Sequence, residues 1–477
     1  MQKTNYDFIV PGLDVLIGDP EILDPPPGSK KYAKTLYIPE GYVHRVIDFY
    51  HEQSGRGDAC RELTCRFKTI LNAINESKSG LFTLKNGTVV DFVDISSALN
   101  NLDSTLSPNS SKDQAIITAK QRLSCGKNVA IMTGSDQLAT LAALHGIHVI
   151  QINPDVYTGR RKVKLSLDQA YLWYNHTRLT QADWHDTFPD QPPLRPNEFI
   201  EFISDDPSRS DYGFRHVGRF SAAEDALLPL KNFHFPHQNF SKIYPQNPGQ
   251  AMLIDALLAP PEEIPLVIIS GIFGTGKTFL ATAAGYYGVT ESSTYERVFV
   301  CPRDGALGKE IGFVPGDAVE KTLVKAKPII DNLRSVLKLT APAKKPKFET
   351  EEQKNLAACR DCIDKRVDEA LSSFFEFESI IYMGGRSISN SFIIYDEFQD
   401  MERYQTKALL TRIGNGSKIV IMGDPSQVTN PHLNRTSNGL SYAASKLAGK
   451  PEAAIITLEK DEIVRSPAAL AIADYFG

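Results

Sequence analysis

The sequence predicts a multidomain α/β protein: an N-terminal α/β domain over residues 1–155, a small β-rich connector over 156–240, and a C-terminal domain with a parallel sheet over 241–477. Three observations carry this. Apolar, β-branched runs alternate with helical patterns in the first and last segments, the rhythm of repeated strand–helix units. Between them, "RRKVKLSL" and "NEFIEFIS" alternate apolar with polar residues, the period of half-buried antiparallel strands. Finally, "LVIISGIFGTGKTFLATAAG", starting at Leu266, sets a glycine-rich turn between an apolar run and an Ala-rich helical pattern.

In chain order, "YDFIV" and "NVAIMT" read as buried strands and "SKDQAIITAKQRL" as an amphipathic helix of the first domain. The Pro- and Asp-rich "DWHDTFPDQPPLRP" is a loop inside the connector. From residue 241 the strand–helix alternation resumes. Within it, "KLTAPAKKPKFETEEQKNLAACRDCIDKRVDEAL" is so polar and charged that it predicts an insertion outside the core. No internal repeat of fixed period is visible.

Composition narrows the class further. The 477 residues leave room for about three domains, and a 42% hydrophobic, 23% charged chain has ample material for their cores. The formal net charge is −5, so any contact with nucleic acid must come from local basic patches. No apolar run reaches the ~18 residues of a membrane span, and "MQKTNYDFIVPGLDVL" lacks the basic and apolar regions of a signal peptide. Six cysteines over this length make no disulfide framework. Cys359 and Cys362 stand alone in a charged helical stretch and read as two helix-borne thiols rather than a zinc or redox site. A cytoplasmic, reduced protein without a membrane partner is expected.

Gly271 to Thr278 read G-x-x-x-x-G-K-T, a phosphate-binding loop in the strand–loop–helix context that the motif requires. Gly271, Gly274 and Gly276, with Thr275 between the last two, form a cradle whose backbone N–H groups point at phosphate oxygens. The helix N-terminus adds partial positive charge. Lys277 is expected to reach the β- and γ-phosphates, and Thr278 to hold Mg²⁺ through its hydroxyl. In "SFIIYDEFQD", Asp396 ends an apolar strand, where a carboxylate holds Mg²⁺ through water, and Glu397 follows to polarise the attacking water. In "SKIVIMGDPSQV", a second strand ends in G-D-x-x-Q, and the amide of Gln427 can bond both the γ-phosphate and the lytic water. Gln250 in "NPGQ" precedes the loop at a spacing that suits adenine recognition. No N/T-K-x-D base-reading motif supports a GTPase, and the Asp396–Glu397 pair favours water over an acceptor substrate as nucleophile. ATP hydrolysis is the predicted chemistry.

The loop, the D-E pair and G-D-x-x-Q, in this order, resemble the first motor lobe of superfamily 1 helicases. "LEKDEIVRSPAALAIADYF" resembles the stretch that supplies a γ-phosphate arginine there, here Arg465 with Arg412 as the second candidate. No second motor lobe follows before Gly477. More narrowly, "KIYPQNPGQ", "EIGFVPGDAVEKT", "GGRSISNSFIIYDEFQD", "LLTRIGNGSKIVIMGDPSQV" and "EIVRSP" together resemble the PhoH family of ATPases over about residues 241–477. Two places depart from the family pattern, Cys301-Pro302-Arg303 for Arg-Pro and Gly384-Gly385-Arg386 for Arg-Gly-Arg. The resemblance implies a RecA-like P-loop ATPase domain, a nucleic-acid-remodelling motor acting on single-stranded RNA, and a homo-oligomeric ring, often hexameric, in which a neighbour's arginine closes the γ-phosphate.

Ahead of it, "FIVPGLDVLIGDP", "SKDQAIITA" and "VAIMTGSDQLATLAALHGI" are similar to the PIN nuclease fold found before some PhoH ATPases. That fold needs three or four carboxylates around Mg²⁺ or Mn²⁺. Here the first metal-binding Asp falls on Gly12 and the helix acid on or near His44; Asp113 and Asp136 remain, and Asp14 lies two residues from the lost position, on the same face if the strand end stays extended. The implied domain is a degenerate PIN, with an active ribonuclease as the alternative. The bland readings are a surface acid for Asp113 and a helix N-cap for Asp136. In the connector, Arg160, Lys162 and Lys164 share one face of a strand, with Arg161 on the other. That face either follows a single-stranded backbone or is simply solvated. Against the motor reading stands an ATP-switched binding or assembly protein that moves nothing along RNA.

Overall fold

The strand-forming runs assemble into three sheets in the computed structural model, which describes residues 6–18, 20–25, 33–52, 57–77, 81–96, 106–151, 157–166, 168–169, 173, 178–204, 216–231, 234–301, 326–340, 349–377, 387–430, 433, 435 and 438–464. The first sheet contains β1 (Phe8–Pro11), β2 (Thr35–Pro39), β3 (Phe82–Thr83), β4 (Val89–Val93), β5 (Val129–Thr133) and β6 (His148–Gln151), in the order β3-β4-β2-β1-β5-β6. All neighbours run parallel except β3 with β4. Every residue of β5 is buried, because the helices α1 (Leu13–Gly18), α2 (Gly41–Glu52), α3 (Gly57–Ser77), α4 (Ser111–Ser124) and α5 (Asp136–Leu144) accompany a parallel sheet that needs cover on both faces.

The connector holds β7 (Arg160–Leu165), β8 (Leu179–Thr180), α6 (Gln181–Thr187), β9 (Phe199–Ser204), β10 (Val217–Ser221) and β11 (Ala226–Pro229), with sheet order β7-β9-β10-β11-β8. Trp173, Trp184, Phe188, Phe202 and Phe220 fill its interior. The two alternating runs do form strands, but β7 and β9 pair parallel rather than antiparallel. The chain between them contains α6, and so has the length a crossover demands; alternation reports a half-buried strand, not its direction.

The third sheet follows from α7 (Pro248–Leu258), β12 (Leu266–Gly271), α8 (Lys277–Thr290), β13 (Arg297–Cys301), α9 (Lys327–Thr340), α10 (Glu349–Phe374), β14 (Phe375–Phe377), β15 (Ser391–Tyr395), α11 (Arg403–Leu410), β16 (Lys418–Gly423), α12 (Gly439–Leu447) and β17 (Ala453–Leu458). Its order is β14-β13-β15-β16-β12-β17, parallel throughout. The charged insertion is not wholly outside the core. Ile363, Val367 and Ala370 of α10 pack with Ile329, Leu333, Val336 and Leu337 of α9 into the same cluster as the sheet. One apolar stripe at helical spacing suffices to dock a helix whose remaining faces are charged.

The connector covers the exposed edge of β17. Thr457 donates its N–H to the Thr158 carbonyl at 3.0 Å. At Gly159, φ is +72°, and a Cβ would lie 1.6 Å from the Ile455 carbonyl oxygen, so only glycine permits this approach. A buried cluster reinforces the seam: Arg219 bonds Asp255 of α7 at 2.7 Å and Asn197 at 3.0 Å, and Asn197 donates to the Pro451 carbonyl at 2.8 Å. The basic face of β7 is used in part in the same way. Arg160 is buried against Glu201 and Glu462, and Lys162 pairs with Glu459 at 2.6 Å. Arg161 bonds Glu198, leaving Lys164 exposed. Glutamates distant in sequence absorb the charge, a pairing that no local pattern encodes.

Candidate functional site

β12 delivers the chain into the glycine loop, and α8 leaves it at Lys277. Gly274 and Gly276 have φ of +80° and +90°, which turn successive N–H groups toward one concavity at the helix N-terminus. Thr275 is fully buried, its hydroxyl bonded to the Ile272 carbonyl at 2.9 Å. Gln250 lies under the loop: its Nε2 donates to the Thr275 carbonyl at 3.0 Å, and its Oε1 accepts the Gln246 N–H at 2.9 Å. Both ends of this amide are therefore spent on backbone, one of them on the loop itself. Lys277 folds back onto the carbonyls of Gly271 and Ile272, at 2.6 and 2.9 Å, and burial holds its pKa below the usual lysine range.

β12 and β15 are not neighbours; β16 runs between them, so three strand ends converge on the loop. Thr278, in the first turn of α8, donates to Oδ2 of Asp396 at 3.2 Å. Asp396 is pushed up to about 6, by burial first and then by the adjacent charge of Glu397. Glu397 has φ +55°, an uncommon conformation for this residue type, and its N–H donates to Oδ1 of Asp396 at 3.0 Å. Beyond β16, Gln427 donates to Oδ2 of Asp424 at 3.0 Å. Gly274, Gly276, Lys277, Thr278, Asp396, Glu397 and Gln427 line one cleft of about 310 Å³, within the range of small-ligand sites. A threonine hydroxyl and a buried carboxylate in contact, both on that cleft, are a donor set that fits a hard divalent cation.

Several lining or bracing residues escaped the sequence reading. Gln399, fully buried, donates to Oε2 of Glu397 at 2.7 Å and accepts the Asp424 N–H at 3.1 Å, so one side chain ties the β15 end to the β16 end. Gly423 makes room for it: a Cβ there would meet the Gln399 oxygen at 2.0 Å. The "DEFQD" run carried a signal for Gln399, since a polar residue two beyond paired acids needs a partner once buried. Phe273 and Asn332, from the loop and from α9, also line the cleft; nothing in their spacing could have shown it.

Of the two candidate arginines, Arg412 is described and does not line the cleft. Arg412 follows α11, and its carbonyl accepts the Ile388 N–H, ahead of β15; it thus sits by the N-terminal end of a strand whose C-terminal end carries Asp396. Arg465, like Arg303 and Arg386, lies outside the described residues, although the preceding Val464 donates its N–H to the Gly274 carbonyl at 2.9 Å.

In the N-terminal domain, Asp14 stands in α1 and not on an extended strand end, so the period-two argument for its direction fails. Its carboxylate nevertheless reaches the same place: a Cβ on Gly12 would lie 2.2 Å from Asp14 Oδ1. There it accepts the Thr133 hydroxyl at 3.1 Å and the Gly134 N–H at 2.9 Å, and burial raises its pKa. Asp113 accepts the Ser107 N–H at 3.1 Å, bracing its own approach loop rather than standing as a free surface acid. The cap of α5 is Ser135, whose hydroxyl accepts the Leu138 N–H, so Asp136 is the first helical residue and not the N-cap; its side chain is outside the description. His44 is exposed on α2. Among the described residues no three His, Cys, Asp or Glu side chains gather closely enough to hold a metal ion. None of the described helices is long and apolar enough to cross a membrane.

The comparisons with known proteins agree with the C-terminal geometry and extend beyond it. Residues 242–477 match the family model described as PhoH-like protein. The chain is 32% identical over 340 residues to Protein PhoH2 of Bacillus subtilis (strain 168), covering 70% of this chain and 68% of that protein. It is 32% identical over 389 residues to Protein PhoH2 of Mycolicibacterium smegmatis, covering 79% of this chain and 78% of that one. A PhoH-like protein of Bacillus subtilis is 30% identical over 202 residues, 42% of this chain and 55% of its own length. With a parallel-sheet P-loop domain matched by the family model and likeness to PhoH2 proteins over most of its length, this chain belongs to the PhoH family.

Proposed function

We propose that the chain is an ATP hydrolase acting through the C-terminal cleft. The observation that carries this reading is the contact between Thr278 at the start of α8 and Asp396 just after β15, beside Lys277 and Glu397. The loop N–H groups of Gly274 to Thr278 bind phosphate oxygens. Lys277 releases the Gly271 and Ile272 carbonyls to do the same, exchanging two neutral acceptors for a charged one. Thr278 and Asp396 would hold Mg²⁺, which supplies charge neutralisation on the phosphates. Glu397, held by Gln399, orients and deprotonates water, and Gln427 reads the γ-phosphate. Gln250 serves ATP by fixing the loop, and direct adenine recognition would require it to release one of its two backbone bonds. Charge on the transferring phosphoryl group is stabilised by Arg465, or by Arg412 of an adjoining copy in a homo-oligomeric ring such as a hexamer; the position of Arg412 away from its own cleft favours action in trans.

The same proposal extends to RNA. The chain is a remodelling motor on single-stranded RNA with a PIN-like N-terminal domain whose nuclease site is impaired. The strand order β4-β2-β1-β5-β6 supports the α/β part of that reading, and the tied carboxylates of Asp14 and Asp113 support the impairment. One observation favours the ATP-switched assembly protein instead: Arg160 and Lys162 of the basic strand face offered for RNA are engaged in ion pairs, which leaves Lys164. The deciding experiment is ATP turnover by wild type and Lys277→Ala, with and without single-stranded RNA. RNA stimulation supports the motor, RNA-independent turnover the switch, and turnover that survives Lys277→Ala removes the cleft from the chemistry. In parallel, labelled RNA with Mg²⁺ should remain intact and with Mn²⁺ be cleaved weakly at most, Asp113→Asn serving as control.

A further inference from the structure

The connector reaches the phosphate loop through one glutamate. Arg160 on β7 donates to Glu462 Oε2 at 2.7 Å, and its other guanidinium nitrogen bonds Glu201 on β9. Lys162 holds Glu459 at 2.6 Å, and the Glu459 N–H bonds Glu462 Oε2 at 2.9 Å. Both Arg160 and Glu462 are buried. The connector thus fixes the short turn that follows β17 through two basic side chains, Arg160 and Lys162.

That turn governs two backbone carbonyls of the loop. The Oε1 of Glu462 accepts the Gly249 N–H at 2.8 Å, at the start of α7, and a Cβ on Gly249 would lie 2.4 Å from Oε2, so the carboxylate rests directly on the helix end. The next residue, Gln250, donates to the Thr275 carbonyl at 3.0 Å. In the other direction, Val464, two residues beyond Glu462, donates its N–H to the Gly274 carbonyl at 2.9 Å. Gly274 and Thr275 are therefore each tethered through a segment that Glu462 anchors. A shift of the connector against the C-terminal sheet must either break the Arg160–Glu462 pair or carry both tethers with it.

We propose that Arg160 and Glu462 are positioning residues that set the conformation of the phosphate loop, making the connector a control point for nucleotide binding. The inference rests on the nucleotide reading of the cleft for its functional consequence, but not for its structural one. Because the tethers act on loop geometry before phosphate arrives, their loss weakens ground-state nucleotide binding more than it slows the chemical step.

The experiment compares Arg160→Lys and Glu462→Gln with Arg219→Lys. Lysine at 160 keeps the charge but cannot span Glu201 and Glu462 together. Arg219 crosses the same interface with similar burial, yet grips Asp255 near the far end of α7 and touches neither tether. The first readout is hydrogen exchange of the amides of residues 272–278 in nucleotide-free protein, alongside Tm. Arg160→Lys and Glu462→Gln should speed exchange there, their double variant adding little to either alone, while Arg219→Lys at a matched loss of Tm should not. The second readout is binding of a fluorescent ATP analogue and the split of KM from kcat. The two tether variants should raise Kd and KM about tenfold and lower kcat less than about threefold, with Arg219→Lys within about twofold of wild type in Kd. Loop exchange unchanged in both tether variants, or equally raised by Arg219→Lys, overturns the proposal whether or not nucleotide binds. A wild type that binds no nucleotide instead removes the ATPase reading, and the exchange data still decide the coupling.

Discussion

The chain carries two largely parallel sheets with acids at or near their strand ends, and it holds those acids in different ways. At the C-terminal sheet, Asp396 meets a threonine hydroxyl, Glu397 is held by Gln399, and a glycine loop and Lys277 face the same space. At the N-terminal sheet, Asp14 is absorbed by Thr133 and Gly134, and Asp113 by Ser107. The same residue type near a strand end is thus held in two different ways. What distinguishes the two is where the hydrogen-bond capacity goes: into groups that line one cleft in one case, into the end of β5 and the loop before α4 in the other.

The largest expected effect sharpens the C-terminal half of the comparison. Lys277→Ala should reduce ATP turnover by about 10³-fold or more and weaken nucleotide binding, because the lysine meets phosphate in ground and transition states alike. Asp14→Asn, measured beside it, should leave turnover at the wild-type rate.

Next comes Glu397→Gln, expected to slow turnover by about 10²–10⁴-fold while leaving nucleotide affinity within about twofold, since its work is on water. Fast hydrolysis in that variant, measured under single-turnover conditions, would take the base role away from it.

A stability change follows at the other sheet. Gly12→Ala drives a Cβ toward the Asp14 carboxylate, 2.2 Å away, and should cost about 1–3 kcal/mol in denaturant unfolding. Removing the carboxylate as well, in Gly12→Ala with Asp14→Gly, should relieve the clash and make the two changes non-additive. Simple addition of the two costs would mean that Asp14 does not occupy the space of a residue-12 side chain. For the same reason, an acid restored at position 12 displaces the carboxylate of Asp14 instead of joining it.

The smallest effect is a pH profile. Burial raises the carboxyls of both Asp14 and Asp396. A folded-state pKa above the unfolded one means the folded chain binds the proton more tightly, so this contribution is full below the unfolded value and lost as pH rises through the folded one. For Asp396 that window runs from 3.8 to about 6. In thermal scans, Asp396→Asn and Asp14→Asn should each flatten the fall in stability with rising pH. Mg²⁺ with nucleotide should cancel the Asp396 share alone; a response of the Asp14 share to Mg²⁺ would make that carboxylate a metal ligand and erase the contrast between the sheets.

The sequence by itself determined the phosphate loop, the β15 and β16 strand ends with Asp396, Glu397 and Gln427, and the α/β character of both large segments. These rest on local periodicity and on backbone conformations that glycine alone adopts cheaply, both of which are written in consecutive residues. Tertiary structure alone decided that β16 separates β12 from β15, that β7 and β9 run parallel, and that Gln399 joins two strand ends. It also decided the fate of the charges. Arg160 and Lys162 read as either a surface for a polyanion or a solvated face, and Asp14 as a side chain on an extended strand end, because a sequence shows charge but not the partner. Burial makes that partner obligatory, and Glu462 lies 302 residues from Arg160, a pairing that exists only once the sheets are docked.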